Sequence, residues 1–148
     1  MRERDQTSAR TTVITGALLD SGSDRSYCTR SLVERLKAKG KSITLSVGTI
    51  MSEETKLDTE EVNLVVTSVG VRKNKAVTIP QAVVVTELPS SLKDSVAAGA
   101  NAEMWTHLQG IVPRHPPGEV DILIGLDVPQ ALMPLEVRSG ARPRRTAT

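Results

Sequence analysis

Ala17-Leu18-Leu19-Asp20-Ser21-Gly22-Ser23 is the stretch on which the reading of this chain turns. The β-branched run Thr11-Thr12-Val13-Ile14-Thr15 leads into Gly16, Ala17, Leu18 and Leu19, and predicts a strand over 11–19 that enters the core and ends at Asp20. A carboxylate therefore stands where a strand stops. Its tripeptide suits a tight turn, and alone Asp20-Ser21-Gly22 is most simply that. A second stretch changes the balance: Val120-Asp121-Ile122-Leu123-Ile124-Gly125-Leu126-Asp127 is a short apolar run ending at glycine, which predicts a buried strand.

Between these stretches the pattern alternates helix and strand signals. Ser31 and Glu34 have capping-box spacing, Leu32, Val33 and Leu36 share a face, and Gly40 is a stop, so a short helix is expected over 31–39. Strands over 43–47 and 62–66 flank the polar segment 49–61 and predict a long β-hairpin with an exposed, mobile tip near 48–52. A further strand is expected over 76–86, with Pro80 marking an edge or a bend. Residues 89–118 form an insert longer than ordinary loops, with a helix expected around 92–98 and Trp105, Leu108 and Ile111 as apolar anchors. A short helix over 127–132 follows, held between Pro129 and Pro134.

The chain has 148 residues, 39% hydrophobic, enough for one domain with a real core. With one Trp, one Tyr and no Phe, that core is aliphatic and expected to be β-rich. The net charge of +2 is spread over nearly balanced acids and bases, so neither nucleic acid nor an anionic membrane is an expected partner. Residues 1–10 and the basic tail 139–148 are expected to be disordered, leaving a domain over 11–138. No apolar run of signal or anchor type opens the chain, and a cytoplasmic setting is expected.

Cys28 is the single cysteine, which excludes an intrachain disulfide framework, and no partner residue marks it as a nucleophile; a small buried apolar side chain is expected. His107 and His115 lack metal-ligand spacing, so no metal and no cofactor is expected, and His107 is read as packing beside Trp105. Asp121 and Asp127 are read as strand-end and helix-start acids. Asp20-Ser21-Gly22 with Ser26 also has the look of a phosphodegron, but the apolar run before it argues for burial.

Taken together, the Asp20-Ser21-Gly22 turn and the hydrophobic-hydrophobic-glycine strand resemble those of retropepsin-like aspartic proteases. The likeness sharpens to the peptidase domain of Pao/BEL-type retrotransposons: Ala17 to Ser23 with Ser26, Leu32 and Leu36, then Trp105-Thr106-His107-Leu108, then Val120 to Asp127, covering about 13–137. This resemblance implies an all-β, closed acid-protease barrel with one or two short helices, working as a homodimer on an extended polypeptide. Asp20, Ser21 and Gly22 would be catalytic; Leu19, Ser23, Ile124, Gly125 and Asp127 would support them; Val47, Gly48, Thr49, Ile50 and Met51 would form the substrate-binding flap. Two departures accompany it: the flap is poor in glycine, and Leu126 stands where relatives often carry an Arg, a charge Arg25 would then supply. The Ser23 hydroxyl is expected to donate to the Asp20 carboxylate and favour an acidic optimum. The alternative is a catalytically silent dimerisation or binding module on the same fold.

Overall fold

The computed structural model describes residues 10–49, 52–70, 75–90, 104–111 and 118–141. The expected helix over 92–98, both disordered ends and His115 lie outside them, as do Ile50 and Met51 of the expected flap tip. Six strands form one mixed sheet: β1 (Gly16–Leu19), β2 (Tyr27–Thr29), β3 (Lys41–Thr49), β4 (Ser52–Val66), β5 (Val77–Val85) and β6 (Val120–Ile124). Their order is β1-β6-β2-β5-β4-β3. Among the described residues two short helices accompany it, α1 (Arg30–Leu36) and α2 (Pro129–Leu132), with a 3-10 turn at Thr106–Leu108.

The sheet is open, and this corrects the expected closed barrel. β1 and β3 are its two edges, and they do not pair among the described residues. The reason lies in the β3–β4 ribbon. Along β3 only Leu45 is buried, while Lys41, Ser42, Thr44 and Ser46 are exposed, so curling this ribbon back onto β1 would bury little apolar surface. A four-residue β1 also offers a short ladder for closure.

The core sits where α1 covers the middle of the sheet. Leu32 and Val33 of α1 join Cys28, Val62, Leu64, Ile79, Ala82, Val84, Ile122, Ile124 and Val128 in one cluster. In β4, Val62 and Leu64 face inward and Asn63 and Val65 outward, the alternation of a sheet buried on one side. β6 differs. Asp121 through Ile124 are all buried, in a strand flanked on either side by β1 and β2.

Element ends moved for identifiable reasons. β1 begins at Gly16 rather than at Thr11, because β6, its one neighbour among the described residues, pairs first at Val120 opposite Gly16. α1 is capped by Thr29, not Ser31: the Thr29 hydroxyl accepts from Leu32 N at 3.2 Å. It stops at Lys37, whose φ of 52° is left-handed, with Lys37 N and Ala38 N donating back to Glu34 O and Val33 O. Gly40 serves a close approach instead, since a Cβ there would lie 2.7 Å from Glu60 Oε2 and 2.8 Å from Glu60 Cβ.

The hairpin forms as expected, but the polar segment is itself strand: β4 runs back from Ser52, which pairs with Thr49. Pro80 lies at a register shift in β5, between the pairs Leu64–Ile79 and Val62–Ala82, where its missing N–H is tolerated. Of the expected anchors in the insert, Trp105 and Leu108 are partly buried, whereas Ile111 is 39% exposed and does not anchor.

Candidate active site

β1 delivers Asp20 to the end of the sheet, and β6 holds it there. Asp20 N donates to Ile124 O at 2.9 Å, one step beyond the last β1–β6 pair. The chain then turns on itself: Gly22 N donates to Asp20 Oδ1 at 2.8 Å and Ser23 N to Asp20 O at 3.3 Å. This is the local Asx geometry for which Asp is favoured in turns. One carboxylate oxygen is thereby fixed by backbone while Ser21 and Gly22 face solvent.

Gly22 does not need a left-handed backbone, for it is not among the glycines with positive φ. Its role is clearance. A Cβ would come within 3.1 Å of Asp20 Oδ1, so bulk at this position presses on the carboxylate rather than on the turn.

The second motif closes over the turn from behind. Leu126 N donates to Ser23 O at 2.9 Å, and Gly125 lies so close that a Cβ would sit 2.4 Å from Arg25 O and 2.8 Å from Ser23 O. Only glycine fits between β6 and this loop. Beneath it, fully buried Ser26 ties the two motifs together. Ser26 Oγ donates to Asp127 Oδ1 at 2.6 Å and accepts from Gly125 N at 3.0 Å, while Ser26 N donates to Asp127 Oδ2 at 3.0 Å. Asp127 thus caps the loop after the turn instead of starting a helix.

A second polar knot lies at the far end of the same strands. Buried Asp121 accepts from Thr15 Oγ1 at 2.6 Å, from Thr29 Oγ1 at 2.7 Å and from Arg35 at 2.5 Å. Burial pushes its carboxyl up, but the hydrogen bonds from Thr15, Thr29 and Arg35, with the Arg35 charge, outweigh that and hold it below the ordinary value. These contacts link the residue before β1, the end of β2, α1 and β6. They were not foreseen: an Asp inside an apolar strand must be partnered, but nothing in the spacing names Thr15, Thr29 or Arg35 as the partners.

Three further expectations change. The Ser23 hydroxyl donates to Arg25 O at 2.7 Å, not to Asp20, because the turn carries its side chain toward the following loop. Arg25 contributes that carbonyl, and no ion pair between Arg25 and an acid occurs among the described residues; the Arg35–Asp121 pair lies at the far end of the strands. Leu19, expected as support, pairs with buried Ile124 through its backbone but is itself 56% exposed.

Cys28 is buried as expected, and burial pushes its thiol up to about 11. His107 packs edge-on to Trp105 with ring centroids 5.9 Å apart. Of the flap residues, Val47 is exposed, Gly48 falls at a register shift with open space around it, and Thr49 ends β3. The hairpin lies at the opposite edge of the strand order from the Asp20 turn, whose own hydrogen bonds run to β6 and the loop after it. Among the described residues no helix is long and apolar enough to cross a membrane. No family model, no curated protein and no solved structure matches this chain.

Proposed function

We propose that this chain is one subunit of a retropepsin-like aspartic endopeptidase, akin to the peptidase domain of Pao/BEL-type retrotransposons. One observation carries the reading: the Asp20 turn and the Ile124-Gly125 strand end, with the loop after the turn joined to that strand end by a Gly125–Ser26 hydrogen bond across 99 positions of sequence, make a single braced body around a half-buried Asp20. A turn that served only to reverse the chain would not need a strand, a glycine and a buried serine bonded to Asp127 behind it.

Peptide hydrolysis by this route uses two carboxylates that share one proton. One accepts a proton from water as the water attacks the peptide carbonyl, and the other donates toward the carbonyl oxygen. Two like charges at that separation do not both ionise, so the pair titrates as a unit. The chain carries a single Asp-Ser-Gly, and the second Asp20 comes from a second copy. The β3–β4 hairpin, with Val47 exposed, would receive an extended polypeptide of the polyprotein kind.

The test compares the chain with Asp20→Asn on an extended-peptide library between about pH 4 and 7, near the range where carboxylate pairs titrate. Cleavage by the unaltered protein and its loss in Asp20→Asn are expected. Folded dimers of both proteins with no cleavage by either would replace this reading with that of a binding module.

A further inference from the structure

Trp105-Thr106-His107-Leu108 is a stretch to which the Asp20 site gives no role. Its backbone is a 3-10 turn, closed by Leu108 N donating to Trp105 O at 2.9 Å, and the Trp105 and His107 rings meet edge to face. The imidazole also meets the far end of the chain. Gly140 lies so near that a Cβ there would strike Nδ1 of His107 and come within 2.7 Å of Cγ and 3.0 Å of Cε1. Gly140 is not among the glycines with positive φ, so this position needs the absence of a side chain and not the freedom of the backbone.

Between the core and Gly140 the chain is held by little. α2 is a single turn, Pro129–Leu132, with no side-chain cap at its start, and a helix this short is not stable alone. Past it, Met133 is 69% exposed, Leu135 101% and Val137 78%, and no backbone group from 133 to 141 joins a backbone hydrogen bond among the described residues. Glu136 and Arg138 pair with each other. The segment is a strap with two anchors. At one end Val128 is buried in the core and Asp127 holds Ser26; at the other Gly140 sits against His107.

We propose that the Trp105–His107 pair is a clasp for this strap, and that closing the clasp steadies α2 and, through Asp127, the loop that carries Asp20. Trp105 and His107 are then positioning residues, acting through the chain they hold. The physical reason is chain entropy. An extended strap without backbone hydrogen bonds keeps its path only while both ends are fixed, so freeing Gly140 returns conformational freedom to residues 133–140, and α2 is the first ordered backbone to fray with them. The next anchor inward is Asp127, which accepts from Ser26 N at 3.0 Å and from Ser26 Oγ at 2.6 Å. The clasp itself stands on the Gly140–His107 contact; its consequence for catalysis rests on the peptidase reading.

The chain has one tryptophan and one cysteine, and that cysteine is buried with its thiol pushed up to about 11, which suits an energy-transfer test on the full chain. Exposed Ser139 is replaced, Ser139→Cys, and labelled with an acceptor for Trp105 emission. Strong transfer is expected in the folded protein. Gly140→Val in the labelled chain is expected to lower transfer by about half as the strap swings free. It is also expected to speed exchange of the Ser26 amide about tenfold. Adding His107→Ala, which clears the space the valine needs, is expected to restore both. Transfer no stronger than in the urea-unfolded chain, transfer unchanged by Gly140→Val, or no restoration by His107→Ala overturns the clasp. Lost transfer with unaltered Ser26 exchange overturns its link to the brace. Cleavage that depends on Asp20 with none of these changes would remove this inference alone, and the full set of changes in a protein that cleaves nothing would remove the peptidase reading alone.

Discussion

The two ends of the sheet are built on different principles. At the β1–β6–β2 end, segments far apart in sequence are tied by networks centred on buried polar side chains: Ser26, bonded to Asp127, and Asp121, bonded to Thr15, Thr29 and Arg35. At the β3–β4 end the ties are local and wet: Thr44 to Asp58 across the hairpin and Arg30 to Glu60 at its base. The first arrangement holds the backbone more firmly, because the buried atoms of Ser26, Thr29 and Asp121 must keep their partners. The second keeps two strands in register while leaving the ribbon free to bend. A carboxylate that must meet a second carboxylate belongs at the first kind of end, and a segment that must admit a chain belongs at the second.

Gly125→Ala is the largest expected break in that contrast. The added methyl would meet Arg25 O and Ser23 O, both backbone atoms that cannot rotate aside, so the loop carrying Asp20 must lift off β6. A loss of about 3 kcal/mol or more in urea unfolding is expected, with activity lost even where the protein still folds. A cost below about 1 kcal/mol would show that the brace yields, and that Asp20 is held by something else.

Asp121→Asn probes the same end through pH. Because the folded carboxyl lies below its ordinary value of 3.8, the unfolded chain binds its proton first as pH falls. The stability it contributes is therefore full above the ordinary value and drains away as pH drops through the folded one. Asp121→Asn keeps the shape but loses the Arg35 pairing, at about 1–3 kcal/mol near neutral pH. Its stability should then depend less on pH below 3.8 than that of the unaltered protein, measured by denaturant midpoints at several pH values. Parallel curves would mean that Asp121 is not the group that titrates there.

How much of this was legible beforehand follows the same division. Strands, hairpin and helix were readable from apolar periodicity, and both motifs of the site from their residues, because these are local patterns. The brace itself was not. Ser26 and Asp127 were visible as separate residues of the two motifs, but their hydrogen bonds depend on a register that brings position 26 against position 127. The same holds for Gly125, whose need for clearance arises only once Arg25 O is behind it. Closure of the sheet was misjudged for a related reason: strand signals in 41–66 say that a ribbon forms, not whether its outer face has enough apolar surface to fold back. Thr29 took the cap from Ser31 because its hydroxyl had a second partner in Asp121, ninety-two positions away.

The smallest effect is expected at the hairpin, and its smallness is the point. Thr44 Oγ1 donates to Asp58 Oδ1 at 2.8 Å, a cross-strand bond in full view of water. Thr44→Ala exchanges it for hydration of Asp58, and should cost no more than about 0.5 kcal/mol of global stability. Its effect should be local. Amides of β3 and the facing part of β4 should exchange faster with solvent, while those of β6 keep their protection, because opening the ribbon need not open the core. If instead Thr44→Ala lowered β6 protection as much as that of β3, the two ends would unfold as one unit, and the division between a fixed site and a yielding ribbon would not hold.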